Sequence, residues 1–318
     1  MKNFWKNKKV LVTGGVGFIG SHVVELLLQK DAVVTIAISP KTDSNTIKNL
    51  SEDITVINTD LLVFEDCLSA TKDQEIILNF AALDGGASFK KEHAAEMYRV
   101  NTQIIINILE VARLNNVDRV LLMSSIDVYS PSIPSPILEE YVFRDGFDET
   151  ISGYAWSKRF SEVAAKMYTS QYGLKIAIAR PGNVYGPKDL KSLEKGRVIP
   201  TFIDKALKNE DITIAGTGSQ KKSFLYVTDL AEALLALVEV YPECDPVNIA
   251  SAEYVSLKEL AELVIELTKS TSKIIVADVS GKSARDREIS IEKAKSKIAF
   301  KEKLILKRGL KRIIKESI

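Results

Sequence analysis

Histidine and cysteine are both scarce. The 318-residue chain has two of each, His22 and His93, Cys67 and Cys244. The histidines lie far apart and the cysteines show no metal-type spacing, so no metal site is expected. Two unpaired cysteines fit a reducing compartment, and the chain reads as cytoplasmic. Long apolar runs are missing too. The start, "MKNFWKNKKVLVTGG", is basic, but its apolar stretch stops at Gly14 and Gly15, too early for a signal peptide or a membrane span. Neither sign of charge dominates: 43 Lys and Arg face 42 Asp and Glu, a formal +1. That balance gives no reason to expect nucleic acid or a membrane as partner. The basic tail "LKRGLKRIIKES" reads as an amphipathic helix with Leu306, Leu310, Ile313 and Ile314 inward. With so little histidine, acid–base chemistry at neutral pH has to come from another side chain.

What is present is ordinary for a globular protein: 46% hydrophobic and 27% charged residues. The first half alternates β-branched apolar runs with helical stretches. "KVLVTG", "AVVTIAIS", "DITVIN", "EIILNFAA", "RVLLMSS" and "KIAIARPGNVYG" read as strands. "FIGSHVVELLLQK", a long stretch from about Glu92 to Leu114, and another from about Gly153 to Gln171 read as helices. This alternation predicts an α/β fold, a doubly wound parallel sheet with helices on both faces. After Gly186 the elements shorten and mix, and Ser256 with Glu259 has capping-box spacing. Two regions are expected: residues 1–182 for a dinucleotide and 183–318 mainly for a substrate, with strands free to return to the first sheet. The cleft lies over the carboxyl ends of the strands.

"TGGVGFIG" places Gly14, Gly17 and Gly20 between a strand and a helix. Without side chains there, the backbone can turn tightly and approach a pyrophosphate at the helix N-terminus, as in a Rossmann-type turn. An acid at the end of the second strand would accept hydrogen bonds from a ribose 2′-OH. Here Ala37 takes that place, with Ser39 and Lys41 after it. A hydroxyl and a cation suit a 2′-phosphate, so NADP(H) is favoured over NAD(H). Asp60 and Leu61, after the third strand, are positioned to contact the adenine.

"SGYAWSK" puts Tyr154 and Lys158 four apart, on one face at the start of a helix. A tyrosine titrates near 10. Lowering it to ~7 requires roughly 4 kcal/mol, which a neighbouring ammonium and an oxidised nicotinamide in a desolvated cleft can supply. "MSSIDVYS" puts Ser124 and Ser125 at the end of a strand, where a hydroxyl can hold a substrate oxygen.

Together these stretches resemble the extended short-chain dehydrogenase/reductase superfamily, the NAD-dependent epimerase/dehydratase family. The likeness runs through "TGGVGFIGSH", "DL", "NFAA", Asn101 in "YRVNTQ", "SSIDVY", "YAWSK", "RPGNVYGP" and "SFLYVTDLAEAL". Asn79 stands where the family usually has histidine. The resemblance implies a serine–tyrosine–lysine set at Ser125, Tyr154 and Lys158. Tyr154 would be the acid/base for a sugar hydroxyl, and Lys158 would also hold the nicotinamide ribose. It implies cofactor contacts at Gly14, Gly17, Phe18, Ile19, Gly20, Ala81, Ala82, Pro181 and Val184. For a nucleotide-diphosphate sugar it implies contacts at Gly85, Gly86, Asn183, Arg197, Lys222 and Arg285. Arg287 is the second arginine of "SARDREIS". A homodimer is also implied.

Within the superfamily, "AALDGGASF" and "YGPKDLKSLEKGRVIP" look like GDP-mannose 3,5-epimerases and GDP-fucose synthases. Their cysteine position is Ile126–Asp127 here, and the histidine of the fucose synthases matches Arg197. Lys191 and Lys195 both lie near the lysine of the mannose epimerases. Asp127 also matches the glutamate of 4,6-dehydratases, but Ile126 replaces their acid. The expectation is hydride chemistry at C4 of a GDP- or UDP-hexose, as an epimerase or 4-ketoreductase. A 4,6-dehydratase or 3,5-epimerase with Asp127 as base is the alternative, and a non-catalytic NAD(P)-binding sensor is the rival of another class.

Overall fold

A computed structural model describes residues 3–48, 50–144, 152–189, 196–277 and 287–317. The strands are β1 (Lys9–Thr13), β2 (Val33–Ile38), β3 (Ile54–Asn58), β4 (Ile76–Asn79), β5 (Arg119–Met123) and β6 (Lys175–Pro181). They continue as β7 (Asn183–Tyr185), β8 (Ile212–Ala215), β9 (Lys221–Tyr226), β10 (Val247–Ile249), β11 (Tyr254–Ser256) and β12 (Ile274–Ala277). Seven form one sheet in the order β10-β6-β5-β4-β1-β2-β3. Every pair in it is parallel. The order reverses between β1 and β4, which makes that edge the switch point where open sheets take ligands. The expected Rossmann-type fold is therefore the observed one.

The strands read as apolar runs because helices cover both faces. Val10, Leu11 and Val12 of β1 and Ile76, Ile77 and Leu78 of β4 are all fully buried. One face packs Val23, Val24 and Leu27 with the helix Val227–Val240. The other packs Ile104, Ile108 and Ala112 with Ala164 and Ala165. A third apolar cluster joins the helices Val198–Leu207, Leu257–Thr268 and Leu306–Ser317 around Ile203, Leu260 and Leu310. In it, Leu306, Leu310, Ile313 and Ile314 point inward.

Two elements differ from their sequence expectation. The long helix begins at Ala94, not Glu92; His93 separates the short helix Ala87–Glu92 from Ala94–Leu114. The strand read through "KIAIARPGNVYG" is two strands. β6 pairs with β10 of the large sheet, whereas β7 pairs with β9 in a separate three-stranded sheet. The chain changes sheets at Gly182, whose N–H donates to Ile249 O (2.9 Å). A Cβ there would stand 2.9 Å from the Ala250 side chain. The Ser256–Glu259 capping box is present.

Among the described residues no helix is long and apolar enough to cross a membrane.

Candidate functional site

The ends of β1, β4 and β5 set the site. Thr13 is in register with Ala37 and Asn79, and Asn79 with Leu122, so Gly14, Phe80 and Met123 leave the sheet along one edge. Asn79 does not reach into the cleft as a histidine substitute. It is buried and takes a hydrogen bond from Thr13 Oγ1 (2.6 Å), while Thr13 Oγ1 accepts from Ala81 N (3.2 Å). The turn after β1 and the segment at Ala81–Ala82 are thus tied together.

Gly14 has φ +65°, a left-handed conformation, and a Cβ on it would meet Ala81 N at 2.9 Å. A Cβ on Gly20 would stand 2.3 Å from Gly14 O. Phe18–Gln29 follows with Gly17 as N-cap, no side chain on its first N–H groups and no acid in its first turn. Bare N–H groups at a helix N-terminus, approached by side-chain-free backbone, fit a dinucleotide pyrophosphate. Phe18 and Ile19 open this helix. Ala37 is buried at the end of β2, and Ser39 and Lys41 are exposed just beyond it. Ser39 Oγ accepts from Lys41 N (3.3 Å), so the two sit on one turn. Asp60 shapes its own loop by accepting from Leu62 N (3.0 Å), and Asn107 anchors Leu61 O (2.8 Å).

Ser152 caps the helix Gly153–Tyr172 by accepting from Ala155 N, and the left-handed Gly173 ends it. Tyr154 and Lys158 lie on the first turns. Lys158 is buried, donates from Nζ to Met123 O (2.8 Å) and sits 5.5 Å from the Tyr154 ring centroid. Burial pulls its pKa down to about 8, Lys90 adds to the fall, and Asp84 and Glu162 oppose it. Ser125 starts a single 3₁₀ turn and accepts from Asp127 N (3.0 Å). Its side chain is hydrogen-bonded to Tyr154. The structure therefore brings Ser125, Tyr154 and Lys158 together. Burial, followed by the Asp84 and Asp127 charges, raises the Tyr154 pKa, while Ser125 and Arg197 act the other way. Without an added cation such a phenol stays protonated.

Behind these residues is a buried polar network. Ser124 Oγ donates to Glu162 Oε1 (2.5 Å), and Arg180 holds both Glu162 oxygens at 2.8 and 2.6 Å. Arg180 also donates to Tyr129 OH (2.7 Å). It locks the end of β5 to the helix that carries Tyr154.

Asp127 is not free to act alone. Lys90 Nζ lies 2.8 Å from it, 3.5 Å from Asp84 and 4.1 Å from the Tyr154 ring centroid. Lys222, on β9, is close enough for Asp127 to raise its pKa against the larger lowering by burial. Arg287 shows the same balance, and its guanidinium donates to Tyr129 O (3.1 Å). Among the described residues, the buried Arg287 Nε has no hydrogen-bond partner. Of the two arginines in "SARDREIS", Arg287 is within reach of the Asp127 charge; Arg285, like Lys191 and Lys195, falls outside the described residues. Arg197 pairs with Asp189 (2.9 Å) and Asp84 (3.7 Å). Asn183 donates to Ser223 O (3.0 Å), joining β7 to β9. Gly86 caps Ala87–Glu92, and a Cβ on Gly85 would press on Phe89 at 2.4 Å. Pro181 closes β6 and Val184 packs on the core.

Sequence reasoning missed Asp84 and Lys90. Asp84 sits inside the quoted "AALDGGASF", so the glycine pair was the signal for its loop. Lys90 stands in "FKKEH", which reads as solvated surface.

A Rossmann-type sheet with a Ser/Tyr/Lys group at its carboxyl edge defines the class of protein. The sequence matches the NAD dependent epimerase/dehydratase family over residues 10–250. The chain belongs to that family, part of the extended short-chain dehydrogenase/reductase superfamily, whose members are nucleotide-sugar epimerases, reductases, dehydratases and decarboxylases. It is similar to dTDP-4-dehydro-6-deoxy-D-allose reductase of a Streptomyces species, 38% identical over 268 residues, 82% of this chain and 81% of that protein. It is also similar to UDP-glucuronic acid decarboxylase 6 of Arabidopsis thaliana, 33% identical over 312 residues, 97% and 88% of the two chains. The solved UDP-glucose 4-epimerase of Thermotoga maritima with UDP-glucose superposes with a TM-score of 0.86 at 25% identity, covering 96% of this chain and 97% of that one.

Proposed function

We propose that the protein reduces the 4-keto group of a nucleoside-diphosphate 6-deoxyhexose, with the nicotinamide cofactor in its NADPH form. One observation carries this reading: Ser125, Tyr154 and Lys158 are assembled, while the neighbouring position for elimination or C–H chemistry is disarmed. Ile126 offers no acid, and Asp127 is held by Lys90. Lys90 thus occupies the carboxylate that such chemistry would use. The likeness to a 4-dehydro-6-deoxy sugar reductase supports the same choice and adds dTDP to the GDP and UDP considered from sequence.

When bound, the nicotinamide supplies the hydride to C4. Tyr154 donates its proton to the C4 oxygen, and Ser125 Oγ–H steadies that oxygen as charge develops. Lys158 stabilises the phenolate left behind and binds the nicotinamide ribose. Lys222 and Arg287 face the substrate side as counter-charges for a diphosphate. The exposed Ser39 and Lys41, with no acid at Ala37, favour a 2′-phosphate and hence NADP(H) over NAD(H). The helices Ala94–Leu114 and Gly153–Tyr172 leave Leu114, Met167 and Tyr172 exposed, a face suited to a homodimer.

Mixing the protein with NADPH and a dTDP-4-keto-6-deoxyhexose tests the reading. Lasting loss of reduced-nicotinamide absorbance, one cofactor per sugar, is expected. Interconversion of 4-hydroxyl sugars without net cofactor use would instead make it a 4-epimerase, the activity of the Thermotoga neighbour.

A further inference from the structure

We propose that Lys90 is a positioning residue for proton transfer: its ammonium, lodged between Asp84 and Asp127 over the Tyr154 ring, cancels two carboxylates that would hold the tyrosine proton in place. This rests on the function proposed above and deepens it.

Three elements meet at this point. Lys90 comes from the helix Ala87–Glu92, Asp127 from the 3₁₀ turn after β5, and Tyr154 from the helix Gly153–Tyr172. The ammonium is 2.8 Å from Asp127, 3.5 Å from Asp84 and 4.1 Å from the ring centroid. Asn101 fixes the loop that carries Asp84: it accepts from Leu83 N (2.7 Å) and donates to Leu83 O (3.0 Å). Among the described residues, the other charges facing this cluster are Lys158 beside the ring, Arg197 on Asp84, and Lys222 and Arg287 towards Asp127. Glu162 reaches Lys158 from the buried side.

The electrostatic logic is additive. Asp84 and Asp127 both disfavour a phenolate on Tyr154. Burial, the largest single influence on Lys90, disfavours its charge, but the two carboxylates outweigh it and raise its pKa. Lys90 therefore stays charged wherever Tyr154 works. Beside Arg197 and Lys158 it is a further cation near the phenol, 4.1 Å from the ring centroid against 5.5 Å for Lys158. Lys90 also repels Lys158 and helps depress its pKa. Without Lys90, both Tyr154 and Lys158 bind their protons more tightly.

Two measurements test this. In the first, kcat/KM for oxidation of dTDP-6-deoxy-D-allose by NADP+ is followed against pH. Oxidation needs the Tyr154 phenolate, so its acid limb reports that group. In Lys90→Met the limb moves up by about two to three pH units, as expected for one charge lost 4.1 Å from the ring centroid with an effective dielectric of ~20. Lys90→Arg keeps the wild-type limb. Lys90→Met with Asp127→Asn returns most of the shift, because the opposing charge leaves too. A merely structural lysine would lower activity at every pH and leave the limb in place.

The second measurement needs no turnover. The pH dependence of Lys158 acetylation by acetic anhydride is read by peptide mass spectrometry on the folded wild type and on Lys90→Met. The midpoint rises in the variant. An unmoved acid limb, in a variant that melts like wild type, overturns the proposal. If the wild type oxidises and reduces no sugar at all, the proposed function falls, and the Lys158 midpoint alone decides: unmoved, it overturns the role of Lys90. Should Lys90→Met not fold, Lys90→Gln replaces it in both measurements.

Discussion

Gly153 lies against the backbone oxygen of Ala94, where a Cβ would stand only 2.0 Å away. No side-chain adjustment relieves a contact with backbone. The helices Ala94–Leu114 and Gly153–Tyr172 would have to part, and Tyr154 is the next residue. Gly153→Ala is expected to cost about 1–3 kcal/mol as an overpacked site and to lower kcat more than it raises KM. Gly173→Ala is the control. Its φ of +71° strains any side chain, but nothing lies within 4 Å. That variant should lose about 1 kcal/mol and keep its kcat. Thermal melts and steady-state kinetics on both decide the point; a wild-type melt for Gly153→Ala would refute the packing account.

Lys158 should cost the folded protein stability. Burial brings its pKa from 10.5 to about 8. Between those values the unfolded chain binds more protons than the folded one, so stability rises with pH across that window. Below about 8 the full penalty is present, roughly 3 kcal/mol at ~1.4 kcal/mol per unit. Lys158→Met is expected to stabilise the cofactor-free protein at neutral pH and to abolish turnover. Urea unfolding at neutral and alkaline pH checks this: the gain from the variant should shrink as pH climbs. A destabilised Lys158→Met at neutral pH would contradict it.

The Glu162–Arg180 pair is buried on both sides, at 2% and 1% side-chain exposure. Glu162→Gln leaves the Arg180 charge without its partner and weakens the Ser124 bond. A loss of about 3–5 kcal/mol is expected. Glu162→Leu combined with Arg180→Met should lose less, since no orphan charge remains. Chemical denaturation of the three variants gives the comparison, and equal losses for the single and double changes would remove the argument from charge.

The parts of this architecture that announce themselves in sequence are those built from local pattern. Apolar β-branched runs gave the central strands because helices cover both sheet faces. Gly14, Gly17 and Gly20 stood out by their spacing; Gly14 needs its positive φ and Gly20 leaves no room for a Cβ, while Gly17 is tight at 3.1 Å. Tyr154 and Lys158 could be placed on one face from helical spacing alone. The contacts that escaped are those made across the chain. Lys90 and Asp127 are 37 residues apart, and nothing in "FKKEH" distinguishes a cleft lysine from a surface one. The break at Gly182 was hidden because β6 and β7 follow each other with only that residue between them; only the partner strands, far along the chain, send them to different sheets. The resemblance favoured Arg285, and the influence of the Asp127 charge on Arg287 is visible only in the fold.

Asp127 separates the candidate reactions of this site. If it were the base for elimination or for 3,5-epimerisation, Asp127→Asn would stop the reaction and end any exchange of sugar C–H with solvent. Paired at 2.8 Å, it is a counter-charge to Lys90. Its removal takes away one of the two carboxylates that raise Tyr154. The acid limb of C4 oxidation should then move to lower pH, opposite in sign to Lys90→Met, with kcat at its plateau changed by less than about tenfold, within ~1.4 kcal/mol of barrier. Products formed in deuterium oxide should carry no deuterium at C3 or C5 in either the wild type or the variant. Mass spectrometry of the product sugar reads this directly. Deuterium at either carbon in the wild type, lost in Asp127→Asn, would make Asp127 a base and favour 3,5-epimerisation over the proposed C4 reduction.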